Sequence, residues 1–276
     1  MHPRRVEGLT RKATRIRHLI LQAAHRSGRL THPGPALSIA DLCTAIYFGF
    51  MKASPDDPTA PDRDRFVLSK GHAALAQYAC LAELGYYDPD ELSSVRHLDS
   101  RLQGHPTLGK TPGVDMTTGS LGNGLGAGLG MARYLKDKGL GSRVFVLLGD
   151  GEMNEGTVWE AVALAPALRQ DSLIVVIDQN HFQSGGTTEN ILPMQNLPEI
   201  MRSFGWKTFE VNGHDMAELA SRLEIATNYH GAPVCLVAHT VKGKGVSFME
   251  HNNAWHQRVL SQADYQRALT DLEVEE

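Results

Sequence analysis

Two apolar runs, each broken off by a small acidic turn, constrain this chain more than any other feature. Val144 to Leu148 is unbroken apolar sequence that stops at Gly149-Asp150-Gly151, and Leu173 to Ile177 is another that stops at Asp178-Gln179-Asn180. A helix-length segment lies between them. The spacing predicts strand, helix, strand. Such a unit is right-handed with parallel strands, so Asp150 and Asn180 leave the carboxyl edge of one sheet close together. Open α/β sheets bind their ligands at that edge.

A carboxylate and a neutral amide offering oxygen to one point suit a hard divalent ion such as Mg²⁺, which keeps positions open for phosphate oxygens. The flanking glycines let the backbone approach a diphosphate. Residues 149–180 resemble the metal-diphosphate signature of thiamine diphosphate enzymes. That resemblance implies Asp150, Asn180 and the backbone carbonyl of Phe182 as metal ligands, with Mg²⁺ as the ion and Ca²⁺ or Mn²⁺ able to substitute.

With 276 residues the chain is long for one domain, yet large α/β sheets reach this size, and one domain over residues 1–276 is expected. Basic residues number 27 against 31 acidic, a net charge of −4 without a cluster that reads as a nucleic-acid footprint. The basic opening, Arg4, Arg5, Arg11, Lys12, Arg15 and Arg17, lacks interleaved aromatics and reads as the solvated face of a first helix. Cys43, Cys80 and Cys235 stand far apart in apolar surroundings, which predicts buried reduced thiols and a cytoplasmic protein. The longest uncharged glycine-rich stretch, Met116 to Ala132, is too short and interrupted for a membrane span.

Helical periodicity runs from about Thr10 to Arg26. A second helix follows Pro33 and Pro35, with Ser38 as its expected cap and Asp41 three residues on. Further helices are predicted over His72 to Leu84, Leu121 to Lys138, Asp215 to Tyr229 and Ser261 to Leu272, and strands at Phe66 to Leu68, Thr208 to Val211 and Val234 to Ala238. Strands alternating with helices indicate an α/β fold, a mostly parallel sheet with helices on both faces.

Four histidines stand beside glycine, proline or tryptophan: His32, His72, His105 and His256. Any one alone reads as a structural histidine bonded to backbone. Together they suggest a polar cleft whose imidazoles contact sugar hydroxyls and, with a pKa near neutrality, transfer protons. Zinc is the rival, but no pair has helical or CxxC-like ligand spacing.

Six ordered motifs now resemble one family. They are His32-Pro33-Gly34 leading into Leu37 to Asp41, Leu68 to Ala73, Leu102 to Pro106, Thr117 to Gly122, Gly149 to Gly156, and Lys242 to Val246. The chain resembles the amino-terminal half of transketolase, and more closely the separate amino-terminal subunit of split bacterial transketolases. The resemblance implies the thiamine diphosphate-binding fold. It implies reversible transfer of a two-carbon ketol unit from a ketose, a phosphate ester by expectation, to an aldose. His32, His72, His105 and His256 would line the channel and contact donor and acceptor oxygens. His72, Gly119, Leu121, Gly151 and Glu155 would flank the cofactor beside Asp150 and Asn180. Glu155 matches a glutamate that links cofactor sites across a dimer, although in the first turn of a helix it equally suits the helix dipole. The segment Gly119 to Gly122 opens a helix, whose amino terminus favours a diphosphate, or packs closely for its own sake.

Two positions depart from the family pattern. Leu30-Thr31 precede His32 where Ser-Gly is usual, and Gln257-Arg258 follow His256 where glycine is common. Both lie near the expected substrate channel, which leaves a specialised sugar open. The family's glutamate for the aminopyrimidine ring belongs to a pyrimidine-binding domain that follows the half seen here. The expected partner is therefore a carboxy-terminal subunit carrying that domain, assembled as a heterotetramer. Rival readings are the alpha subunit of a 2-oxo acid dehydrogenase, a deoxyxylulose phosphate synthase, or a non-catalytic partner that keeps the fold. The histidine motifs disfavour the first, and the complete metal and histidine sets disfavour the last.

Overall fold

The computed structural model describes residues 3–194 and 196–274. Five strands form one sheet: β1 (Arg65–Leu68), β2 (Val144–Gly149), β3 (Leu173–Gln179), β4 (Lys207–Asn212) and β5 (Val234–His239). Their order is β1-β2-β3-β5-β4 and every pairing is parallel. Gly149 stands opposite Asp178, and Gln179 opposite His239, so the central strands finish level. Residues just past them share one edge.

The helices are α1 (Pro3–Arg26), α2 (Pro33–Ser38), α3 (Ala40–Thr44), α4 (Ala74–Leu84) and α5 (Asn123–Asp137), then α6 (Gly156–Ala167), α7 (Thr188–Ile191), α8 (Leu197–Ser203), α9 (Met216–Asn228) and α10 (Gln262–Val274). Side chains alternate across the sheet. Phe145, Leu147, Ile174, Val176 and Leu236 enter a core shared with α1, α4, α9 and α10, whereas Val146, Leu148, Val175, Ile177 and Val237 enter one shared with α5, α6 and α8. The strand sequences are apolar throughout because helices cover both faces, as parallel sheets require. Each fully buried Val, Leu, Ile or Phe contributes about 1.5–3 kcal/mol. Among the described residues no helix is long and apolar enough to cross a membrane.

Several helix starts differ from expectation, α1 first among them, beginning at Pro3 rather than about Thr10. The helix expected after Ser38 is α3, which starts at Ala40 with Ile39 at its cap position, and a separate short helix, α2, precedes it from Pro33, since proline suits the first helical turn. Ser38 Oγ donates to Asp178 Oδ1 at 2.6 Å, and Asp41 turns to Arg17 and His214, so distant partners displace the local cap. The helix expected from Leu121 begins at Asn123, because Gly119 and Gly122 take left-handed φ values of 144° and 86°. The one expected from His72 begins at Ala74, after a 3₁₀ turn over Gly71–Ala73. The unforeseen elements, α7, α8 and a 3₁₀ segment over Pro89–Ser94, are too short to show periodicity.

Helix α5 lies against β2 at Gly128, where an added Cβ would stand 2.5 Å from Val146 Cγ2. Gly128→Ala should cost about 1–3 kcal/mol of stability by overpacking, measured by denaturant unfolding. Gly126→Ala, with nothing within 4 Å of the added Cβ, should instead gain up to about 1 kcal/mol from helix propensity. Equal stability of the two variants would refute the close-packing account.

Candidate functional site

A cavity of about 330 Å³ opens at the carboxyl edge, and the two acidic turns form one side of it. Asp150 is buried, with Oδ1 accepting from Gly151 N at 2.8 Å and Oδ2 from His181 N at 2.7 Å. His181 has φ of 65°, rare outside glycine, and this turns its N–H onto the carboxylate. Burial, and then the neighbouring Asp178, push the Asp150 carboxyl up to about 7 despite these donors. Such a carboxylate calls for a cation. Asn180 Nδ2 donates to Asp178 Oδ2 at 2.8 Å, which aims Oδ1; that oxygen accepts from Phe182 N at 3.0 Å and keeps a second lone pair.

Asp178 itself is wholly buried. Burial alone would raise its pKa, but the Lys70 ammonium and the Ser38 and Thr240 hydroxyls overturn that and hold the carboxyl below the usual range. Glu152 is a third buried acid of the site. Its Oε1 accepts from Ser69 Oγ at 2.5 Å and Gly122 N at 2.9 Å, and its Oε2 from Gly149 N at 3.1 Å, so one side chain clasps three segments of the cavity wall. Burial raises its pKa.

Across the cavity the histidines gather. The His32, His72 and His256 rings stand 5.3–5.4 Å apart, and an added Cβ on Gly119 would meet the His105 ring at 3.2 Å. His72, His105 and His256 line the cavity, as do Gly119, Leu121, Gly151 and Glu155. His32 packs on His72 and His256 but lines a smaller crevice with Arg96 and Gly104. Glu155 does not lie in the first turn of α6; it is the exposed residue preceding Gly156, with no capping bond from its side chain.

The near-neutral pKa expected of these rings is not what the packing gives. Burial, and then His105, lower His32 to about 4; burial, and then Lys242, lower His256 to about 3; burial lowers His72 and His105 as well. The rings are neutral at pH 7. They are weak bases, better suited to hydrogen bonding than to holding a proton. Lys242 Nζ donates to Asn253 Oδ1 at 2.5 Å and lies 2.9 Å from His256 Nδ1. Burial, and then Lys70, lower its pKa to about 7.

Lys70, Lys242 and Glu152 escaped the sequence reading as site residues, although all three stand in the motifs quoted above. The rule that found Asp150 and Asn180 finds both lysines too: each follows a strand, β1 or β5, at the same edge.

The residues fit a divalent ion carrying a diphosphate. Among the described residues no three His, Cys, Asp or Glu side chains gather as a metal site; Asp150 and Asn180, which both line the cavity, carry only oxygen acceptors toward a hard ion. Asn154 Oδ1 and Gln183 Nε2, on two residues that line the cavity, are buried without a partner among the described residues, an acceptor and a donor left for a polar guest. An added Cβ on Gly151 would fall 2.6 Å from Gln183 Cγ, so glycine lets this turn pack against the segment that follows Asn180.

Known proteins resemble this chain in sequence and fold. A 6-deoxy-6-sulfo-D-fructose transketolase subunit of Clostridium sp. is 39% identical over 267 residues, 97% of each chain. One of the subunits of an apulose-4-phosphate transketolase from Actinobacillus succinogenes is 38% identical over 97% of this chain and 96% of that one. The transketolase structure from Leishmania mexicana superposes with a TM-score of 0.88 at 31% identity, covering 96% of this chain but only 41% of that longer one. Residues 9–275 match the family described as transketolase, thiamine diphosphate binding domain, and the chain belongs to that family.

Proposed function

We propose that this chain is the amino-terminal subunit of a two-component transketolase, a single diphosphate-binding domain that moves a two-carbon ketol unit from a ketose to an aldose with a partner subunit. One observation supports the reading: Asp150 and Asn180, whose oxygens suit a hard cation, line one cavity with His72, His105 and His256. Similarity to the two subunits named above, over 97% of this chain and 96–97% of theirs, supports the subunit reading.

Thiamine diphosphate, when bound, supplies the carbon nucleophile and electron sink that ketol transfer needs. The protein does the rest. Asp150, Asn180 and the Phe182 carbonyl hold Mg²⁺ against the diphosphate. Gly119, Leu121 and Gly151 keep the adjoining wall low, and Glu155 stands at its rim. His32, His72, His105 and His256 orient the sugar's oxygens; being neutral, each ring offers one N–H and one acceptor nitrogen. The partner, of roughly 300 residues by ordinary domain lengths, brings the pyrimidine-binding domain, and two copies of each chain form a heterotetramer. Three buried free cysteines suit the reducing cytoplasm.

Asp150→Ala removes one of few protein oxygens from a hard ion, and calorimetry should show Mg²⁺-dependent cofactor affinity largely lost. Unchanged affinity in the folded variant refutes the metal assignment. Alanine at His32, His72, His105 or His256 should lower turnover of the assembled enzyme by about 10²-fold or more while sparing cofactor affinity. Near-normal turnover and donor affinity in all four would sink the channel model. The purified chain with saturating Mg²⁺ and cofactor should show no ketol transfer until the partner is added. Full turnover by the chain alone would overturn the split-enzyme reading.

A further inference from the structure

His214 stands in the turn between β4 and α9, outside the cavity, yet its ring joins two distant segments. Nε2 accepts from Val241 N at 2.8 Å, and Nδ1 lies 2.7 Å from Asp41 Oδ2. A backbone N–H can only donate, so Nε2 is the bare nitrogen and Nδ1 carries the hydrogen to Asp41. Asp41 is fixed in turn by Arg17 on α1; both are buried, with side chains 8% and 7% exposed. Arg17 and the His214 hydrogen bond hold the Asp41 carboxyl low against the burial that would raise it.

Val241 is where this chain of bonds reaches the site. Its neighbour Thr240 donates to Asp178, the acid that accepts from Asn180 Nδ2 and so aims the Asn180 oxygen. Its other neighbour is Lys242, which bonds Asn253 and lies beside His256. We propose that His214 is a positioning residue for the cation side of the cavity: held by Asp41 and Arg17, it fixes the Val241 amide and with it the turn that sets Thr240, Asp178 and Asn180. The inference rests on the metal-diphosphate reading above. Outer partners of this kind commonly tune metal affinity by about 10–100-fold.

The test uses the chain assembled with its partner subunit, titrated calorimetrically with thiamine diphosphate with and without Mg²⁺. His214→Ala should weaken Mg²⁺-dependent binding by about 10–100-fold. His214→Gln should recover most of it, since an amide can both accept from Val241 N and donate to Asp41. A purely stabilising role predicts a lower unfolding midpoint for His214→Ala with wild-type affinity, and that result overturns the proposal. So does a glutamine variant that loses as much affinity as alanine. If His214→Ala does not fold, ¹⁵N spectra of the unaltered chain decide: hydrogen-bond coupling between the Val241 amide and an unprotonated Nε2 supports the proposal, and a protonated Nε2 overturns it. Absence of any Mg²⁺-dependent binding by the unaltered, assembled enzyme would instead fail the metal reading, and this inference with it.

Discussion

Asp178 is a carboxylate with no exposure to solvent, and a buried charge persists only when its oxygens are fully engaged. Its partners come from four places: Lys70 beyond β1, Ser38 at the end of α2, Thr240 beyond β5 and Asn180 beyond its own strand. None of these segments neighbours another in sequence. The need to satisfy one desolvated charge therefore draws together the strand ends that make the cavity. A neutral residue at 178 would release all four at once.

The same economy of charge divides the cavity into two halves. On one side Asp150 is under-supplied with donors and pushed toward neutrality; on the other, burial and nearby cations keep the imidazoles uncharged. On the proposed reading, one wall takes a cation and its anionic ligand. The other presents hydrogen-bond partners without net charge, as polyhydroxylated substrates require.

The central unit was legible because its signals are local. Two apolar runs, two acidic turns and a helix between them dictate β2, α6 and β3, and chain handedness then places Asp150 beside Asn180. Ser38 and Asp41 were misread for the opposite reason. A serine with an acid three residues on satisfies the rule for a local cap, and nothing near them in sequence reveals Asp178 or His214 as the partners that win. Histidine protonation was likewise out of reach, since it depends on three rings and two lysines meeting across more than two hundred residues. The start of α5 was not legible, because glycines with left-handed φ unwind what periodicity alone would extend.

The clasp made by Glu152 has a thermodynamic consequence. By binding Ser69, Gly122 and Gly149 at once, it freezes the backbone around the cavity before any guest arrives. Ordering a loop on binding consumes conformational entropy, and here that loss is incurred during folding instead. An incoming diphosphate meets a rigid receptor, so the free energy of its contacts is realised as affinity rather than dissipated in tightening the wall.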